Sequence, residues 1–196
     1  MSIKAVIFDL DGTITEPFFD FDAIRAEMGL SSQDGPVWEA MAKLSPKRRL
    51  RSEQILAYHE RRAVEESRLN PGTKETLQVL RNAGIYIGVL TRNTSKNAWA
   101  VAKRHGVEFD AVAGREDGPV KPDAFGVLHL CRQFGAEPHE TIVVGDYLFD
   151  IQCAKAAGAV AVLLANHEQA EDFAHYADYT IDAIEQVLQV IKKENE

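Results

Sequence analysis

Strand-like runs and helix-like segments alternate from Gly72 onward, and this alternation constrains the fold more than any other feature of the chain. Strands that alternate with helical patterns of about ten residues favour a parallel sheet with right-handed crossovers. We therefore predict an α/β fold with a doubly wound parallel sheet. Strands are expected at residues 85–90, 109–113, 141–144 and 160–164. A final helix is expected where Ile181, Ile184, Leu188 and Ile191 recur at helical spacing.

The apolar run Ala5–Phe8 predicts a further strand, central in the sheet, and two acids follow it directly. These acids are Asp9 and Asp11, and Gly12 and Thr13 come next. Acids at the end of a buried strand lie at the carboxyl edge of the sheet, where open α/β sheets bind their ligands. Two carboxylates this close repel each other unless a cation lies between them. The stretch indicates a metal-assisted site, although Asp-Gly is also a strong turn signal and is compatible with a plain surface turn.

Residues 17–69 interrupt the alternation, because they contain helical patterns and no strand-like run. The turn signal Asn70-Pro71-Gly72 then leads back into the α/β pattern. We predict a core formed by residues 1–16 and 70–196, with a small helical cap, residues 17–69, inserted after the first strand.

Polar side chains follow four of the predicted strands and are expected to meet at one edge of the sheet. They are Asp9 and Asp11, then Thr91, Arg92 and Asn93, then Lys121, and finally Asp146 and Asp150. Carboxylate oxygens are ligands that Mg²⁺ prefers, and the lysine ammonium is a compact point charge suited to phosphate. This combination predicts phosphate chemistry assisted by a divalent cation.

Charge and composition exclude some kinds of binding partner. The formal net charge of −8 argues against a nucleic-acid-binding surface, which would be basic. No apolar run is long enough to span a bilayer, and the N-terminal stretch does not resemble a signal peptide. Cys131 and Cys153 lack metal-binding spacing and are expected to be reduced, buried thiols. We expect a cytoplasmic monomer or weak dimer that acts on a small molecule, with neither a nucleic-acid nor a membrane partner.

Four motifs in this order resemble those of the haloacid-dehalogenase-like (HAD) phosphohydrolase superfamily. They are Asp9-Leu-Asp11-Gly-Thr13, Thr91, Lys121-Pro122, and Gly145-Asp146 followed by Asp150. The insertion after the first strand resembles the helical type-1 cap of the phosphoglycolate-phosphatase-like branch. Two positions depart from the family pattern and bear on the substrate. Tyr147 stands where Ser or Thr is common, and Arg92-Asn93 stands where small or amide residues are commoner.

The resemblance implies a HAD-like Rossmannoid core and a role for each matched residue. Asp9 would attack phosphorus and become an aspartyl phosphate, and Asp11 would be the general acid and then the base for water. The residues implied to bind phosphate are Thr91, Arg92, Asn93 and Lys121. The residues implied to bind Mg²⁺ are Asp9, Asp11 through its main-chain carbonyl, Asp146, and Asp150, which would support either the ion or Lys121.

The expected function is a magnesium-dependent phosphatase that acts on a small phosphomonoester, with a compound like phosphoglycolate as the candidate substrate. A phosphomutase is the alternative within the superfamily, although the 17–69 insertion is short for one. A dehalogenase is disfavoured, because related dehalogenases lack the second aspartate and need no metal. A non-catalytic phosphate-binding protein would usually have lost Asp9 or Asp11. Arg92 could meet a second anionic group of the substrate or simply pair with a neighbouring acid.

Overall fold

The computed structural model describes residues 2–196 of the chain. Six strands form one sheet. They are β1 (Ala5–Phe8), β2 (Tyr86–Leu90), β3 (Ala111–Ala113), β4 (Thr141–Gly145), β5 (Val160–Leu164) and β6 (Tyr179–Ile181). Their order across the sheet is β3-β2-β1-β4-β5-β6, and every pairing is parallel. The predicted α/β fold with a doubly wound parallel sheet is confirmed.

Nine α-helices accompany the sheet in residues 2–196, together with short 3₁₀ turns. They are α1 (Phe21–Met28), α2 (Val37–Ala42), α3 (Pro46–Glu66), α4 (Thr73–Asn82), α5 (Ser95–His105), α6 (Phe125–Phe134), α7 (Leu148–Ala157), α8 (Ala170–Phe173) and α9 (Val187–Asn195). None of the helices within these described residues combines the length and the apolar character needed to cross a membrane.

The first strand is central, as the sequence predicts, because all four of its side chains are apolar and fully buried. Phe8 is in register with Val89 of β2 on one side and with Val144 of β4 on the other. The strand order reverses between β1 and β4. In open α/β sheets such a reversal creates the crevice at the carboxyl edge where ligands bind.

The structure corrects the sequence prediction at the C-terminal end. Ile181 belongs to β6, which pairs with β5, and the helix expected to include it begins only at Val187. The spacing of Ile181 and Ile184 fits a helix, but Tyr179–Ile181 is a β-prone triplet that the exposed edge of β5 can pair with. Neither β6 nor α8 was predicted. The strand expected at 109–113 is also shorter and begins at Ala111.

Contacts divide the chain into two compact units, one of residues up to Pro17 with Arg68–Glu196 and one of Phe18–Ser67. The smaller unit contains α1, α2 and α3, and no described residue of it lies in a strand. Its apolar interior is formed by Ile24, Met28, Val37, Met41 and Leu56. The assignment of residues 17–69 as a cap domain stays a prediction.

The two segments of the larger unit that lead to and from residues 18–67 form a neck of paired backbone. Thr15 and Leu69 form an antiparallel bridge, and the amide of Glu16 donates to the carbonyl of Arg68 at 2.9 Å. The amide of Asn70 donates to the carbonyl of Ile14 at 3.0 Å. The chain therefore leaves and re-enters the larger unit at one place.

Candidate active site

The site lies at the carboxyl ends of β1 and β4, two neighbouring strands of the sheet. Asp9 follows β1 directly, and its amide donates to the carbonyl of Val144 at 2.8 Å, so it continues the pairing with β4. Asp146 directly follows β4, and Asp150 lies in the first turn of α7. The parallel pairing of β1 with β4 therefore brings acids that are far apart in the sequence to one place.

Lys121 is buried between two of these acids, with only 4% of its surface exposed. Its Nζ lies 2.5 Å from Oδ1 of Asp9 and 2.6 Å from Oδ1 of Asp150. Burial alone would lower the pKa of Lys121, but the carboxylates of Asp150 and Asp9 outweigh burial and raise it. The ammonium group therefore stays charged and can offer its positive charge to an anion.

Asp9, Asp146 and Asp150 form an acidic cluster in which one oxygen from each carboxylate lies within 4.8 Å of the others. Burial raises the pKa of Asp9 to about 7 against the opposing effect of Lys121, and the charges of Asp150 and Asp146 add to the rise. Burial also raises the pKa of Asp146 to about 7, with Asp150 contributing. Crowded carboxylates of this kind suit a hard divalent cation, so the donor set fits Mg²⁺.

Gly12 makes room for this cluster. Its φ of 97° is unfavourable for residues with a side chain, and a Cβ added here would lie 2.3 Å from Oδ2 of Asp146. The hydroxyl of Thr13 donates to Oδ1 of the same carboxylate at 3.0 Å. The turn after β1 therefore packs directly against Asp146, and glycine is needed for that approach.

Asp11 lies in this turn, with its carboxylate directed to the loop after β2. Its Oδ2 accepts a hydrogen bond from Nδ2 of Asn93 at 3.3 Å. Asp11 is outside the acidic cluster of Asp9, Asp146 and Asp150 identified among the described residues. The resemblance assigns the main-chain carbonyl of Asp11 to the metal, and that role stays a prediction.

The loop after β2 carries Thr91 and Asn93, both of which are buried. The hydroxyl oxygen of Thr91 accepts from the amide of Asn93 at 2.9 Å, so its own hydrogen is available to donate elsewhere. Oδ1 of Asn93 accepts from Nδ2 of Asn97 and from the amide of Thr94, both at 2.8 Å. These bonds fix the loop beside Asp11.

Arg92 occupies the same loop and is tied to the segment that carries Lys121. Its Nη1 donates to the main-chain carbonyl of Lys121 at 2.8 Å. Its guanidinium carbon lies 4.8 Å from the centroid of the Phe149 ring, within the range of a cation–π contact. The structure thus brings Arg92 to the edge where the sequence predicts it.

Sequence reasoning missed three residues that bind the loops of this site. Nδ2 of Asn70 lies 2.9, 2.7 and 3.1 Å from the carbonyls of Gly12, Thr13 and Thr15. Asn166 and His167 follow β5 and contact the loops after β1 and β4. The position of these two polar residues just past a strand was a usable signal, whereas Asn70 was hidden in a turn motif.

Comparisons with known proteins agree with this geometry. The model of the haloacid dehalogenase-like hydrolase family matches residues 3–158. A haloacid dehalogenase-like hydrolase domain-containing protein of Arabidopsis thaliana is 34% identical over 83% of this chain and 71% of its own length. A phosphoglycolate phosphatase of Chromobacterium violaceum is 26% identical, with 97% of each chain covered. A solved structure of β-phosphoglucomutase from Clostridium difficile has a TM-score of 0.78 at 21% identity, covering 98% of this chain and 96% of that one.

The chain therefore belongs to the haloacid dehalogenase-like hydrolase family, and the predicted family is confirmed. The β-phosphoglucomutase structure supports the fold alone at its level of identity. The roles assigned to individual site residues stay predictions.

Proposed function

We propose that the protein is a magnesium-dependent phosphatase that hydrolyses a small phosphomonoester through an aspartyl-phosphate intermediate. One observation carries the proposal. The partly buried Asp9 carboxylate is held by the ammonium group of Lys121 within the acidic cluster. A nucleophile, a fixed positive charge and a cation-binding set thus lie together, as phosphoryl transfer requires. The relatives named phosphoglycolate phosphatase support a substrate like 2-phosphoglycolate.

The metal would be held by Asp9, Asp146 and the main-chain carbonyl of Asp11. When bound, Mg²⁺ supplies positive charge that offsets the carboxylates and the phosphate. Asp150 would steady Lys121, because their 2.6 Å ion pair occupies Oδ1 of Asp150.

In the first step, a carboxylate oxygen of Asp9 attacks phosphorus as the bond from phosphorus to the leaving oxygen breaks. Asp11, protonated at this stage, gives its proton to the leaving oxygen. Lys121 and the Thr91 hydroxyl bind the other phosphoryl oxygens and stabilise the charge that develops on them. The products are the free alcohol and a phosphoryl group on Asp9.

In the second step, Asp11 is a carboxylate and takes a proton from a water molecule. The water oxygen attacks phosphorus, the bond between Asp9 and phosphorus breaks, and inorganic phosphate leaves. Asp9 is again a carboxylate and Asp11 is again protonated, so the cycle closes.

The test is turnover of p-nitrophenyl phosphate and of a panel of phosphorylated metabolites by the purified protein, with Mg²⁺ and with EDTA. We expect release of inorganic phosphate that requires Mg²⁺. Full activity after exhaustive dialysis against EDTA would reject the metal role. The same samples are monitored by ³¹P NMR with a hexose 1-phosphate as substrate. Rearrangement of that substrate without release of phosphate would identify a phosphomutase instead.

We also propose a cytoplasmic monomer or weak dimer. Both cysteines are free and buried, which suits a reducing compartment. Sedimentation velocity across a range of protein concentrations tests the oligomeric state.

A further inference from the structure

Asn166 and His167, the dipeptide that follows β5, bind the backbone of two different site loops. Nδ2 of Asn166 donates to the carbonyl of Gly12 at 2.6 Å, in the turn after β1. Nε2 of His167 lies 2.7 Å from the carbonyl of Asp146, in the loop after β4. Because β4 separates β5 from β1 in the sheet, Asn166 reaches past the neighbouring strand to the one beyond.

The bond from His167 has a defined direction. A carbonyl oxygen can only accept, so Nε2 must carry the hydrogen. The same nitrogen lies 3.8 Å from Oδ2 of Asp146, so it is near the carboxylate as well as the backbone of that residue. The centroids of the His167 and Phe173 rings lie 6.5 Å apart in an edge-on arrangement, so Phe173 also neighbours the imidazole.

The hydrogen bond from Asn166 is made to Gly12, a residue that has little room to move. The carbonyl of Gly12 also accepts from Asn70, and the Cα of Gly12 faces the Asp146 carboxylate too closely for a Cβ. A displacement of Gly12 would therefore disturb Asp146 directly. Asn166 and His167 thus bind the two sides of one contact, that between Gly12 and Asp146.

We propose that Asn166 and His167 are positioning residues that set how Asp146 and the Asp11-bearing turn face each other, and thereby set the affinity for Mg²⁺. The inference rests on the proposed function insofar as it takes Asp146 to be a metal ligand. Residues that orient metal ligands through hydrogen bonds commonly change metal affinity or activity by about 10–100-fold when removed.

Two His167 variants separate the hydrogen bond from the ring. His167→Phe keeps the ring and its contact with Phe173 but has no N–H, whereas His167→Gln keeps an N–H donor. Calorimetric titration of metal-free protein should show Mg²⁺ binding about tenfold weaker in His167→Phe than in wild type. His167→Gln should keep most of the wild-type affinity for Mg²⁺. Asn166→Ala should resemble His167→Phe.

Matched variants away from the site control for general effects. His129→Phe and Asn82→Ala replace the same residue types in α6 and α4, where each bonds a glutamine of its own helix. Both should bind Mg²⁺ as wild type does. A merely structural role of His167 would lower the thermal unfolding midpoint even without Mg²⁺. We therefore expect the midpoint of metal-free His167→Phe to change little.

The outcomes separate this inference from the proposed function. If His167→Phe and Asn166→Ala bind Mg²⁺ as tightly as wild type, the positioning role is wrong, and wild-type phosphatase activity still stands. If wild type binds Mg²⁺ but hydrolyses no phosphomonoester, weaker binding by the variants supports positioning while the phosphatase proposal fails. If wild type binds no Mg²⁺, the positioning role is overturned.

Discussion

The buried ammonium group of Lys121 and the partly buried carboxylate of Asp9 form an ion pair at 2.5 Å, although 111 residues separate them in the chain. Asp150 shares the same ammonium group, so one cation serves two carboxylates. Removal of the ammonium group would leave the buried Asp150 and the partly buried Asp9 without a compensating charge.

Lys121→Met should therefore destabilise the metal-free protein by about 3–5 kcal/mol at pH 8, the range for breaking a buried ion pair. Activity should fall at least about 10²-fold, because the variant lacks the positive charge that would stabilise the phosphoryl oxygens. Urea unfolding in EDTA and initial rates measure the two effects. Lys155→Met is the control, since Lys155 pairs with Asp178 at an exposed site, and it should cost less than about 1 kcal/mol. Equal losses in the two variants would contradict the role of Lys121.

Asp9→Asn should abolish hydrolysis and leave the fold intact. The amide is nearly isosteric but is a far poorer nucleophile, so the rate should fall on the order of 10³-fold or more. Steady-state rates measure the loss, and circular dichroism checks the fold. Wild-type turnover by Asp9→Asn would show that the covalent mechanism is wrong.

Asp11→Asn should be severely impaired at the second step, because no base remains to activate water. With an activated substrate such as p-nitrophenyl phosphate, the phosphorylated protein should accumulate and be detectable by mass spectrometry. Phosphate release at the wild-type rate would remove Asp11 from the mechanism.

Mg²⁺ should stabilise the protein more at pH 8 than at pH 5.5. Burial first, and neighbouring acids with it, raises the pKa of Asp9 and of Asp146 from an ordinary 3.8 to about 7. A raised acid pKa favours folding while the group is protonated, so this contribution is present below about pH 4 and is lost as pH rises through 7. Above pH 7 the ionised cluster gains most from a cation.

The measurement is the midpoint of thermal unfolding against pH, with Mg²⁺ and with EDTA. An Asp9→Asn, Asp146→Asn double variant removes both titrating groups. In this variant the difference between the unfolding midpoints with Mg²⁺ and with EDTA should be nearly independent of pH. A Mg²⁺ effect that is equal at pH 5.5 and pH 8 would argue against the cluster as the binding site.

Arg92→Ala should reduce kcat/KM for 2-phosphoglycolate more than for p-nitrophenyl phosphate. The guanidinium group is anchored beside the Lys121 segment and could meet a second anionic group on the substrate. Arg132→Ala, on the outer face of α6, is the control and should affect neither substrate. Equal losses on both substrates in Arg92→Ala would remove Arg92 from substrate choice.

The location of the site could be predicted from the sequence, because parallel strands end at a common edge. Asp9, Lys121 and Asp146 each follow a run that could be recognised as a strand. Their meeting therefore follows from the sheet without knowledge of any side-chain contact.

The position of Asn166 and His167 just past a strand could have marked them as candidates, but their particular contacts could not be predicted in the same way. They depend on how far two side chains reach from β5 across a neighbouring strand end, which no local pattern encodes. Ile181 was misassigned for a related reason, since its strand conformation depends on pairing with a distant segment rather than on its own neighbours.

The neck at Thr15 and Leu69 has a consequence for how this chain can vary. The pairing closes the base of the inserted segment, and the side chain of Asn70 then bonds three carbonyls of the turn that bears Asp11. Residues beyond the neck can therefore lengthen, shorten or diverge without a change in the register of β1. Variation in residues 18–67 therefore need not move Gly12, Thr13 or the strand that precedes them.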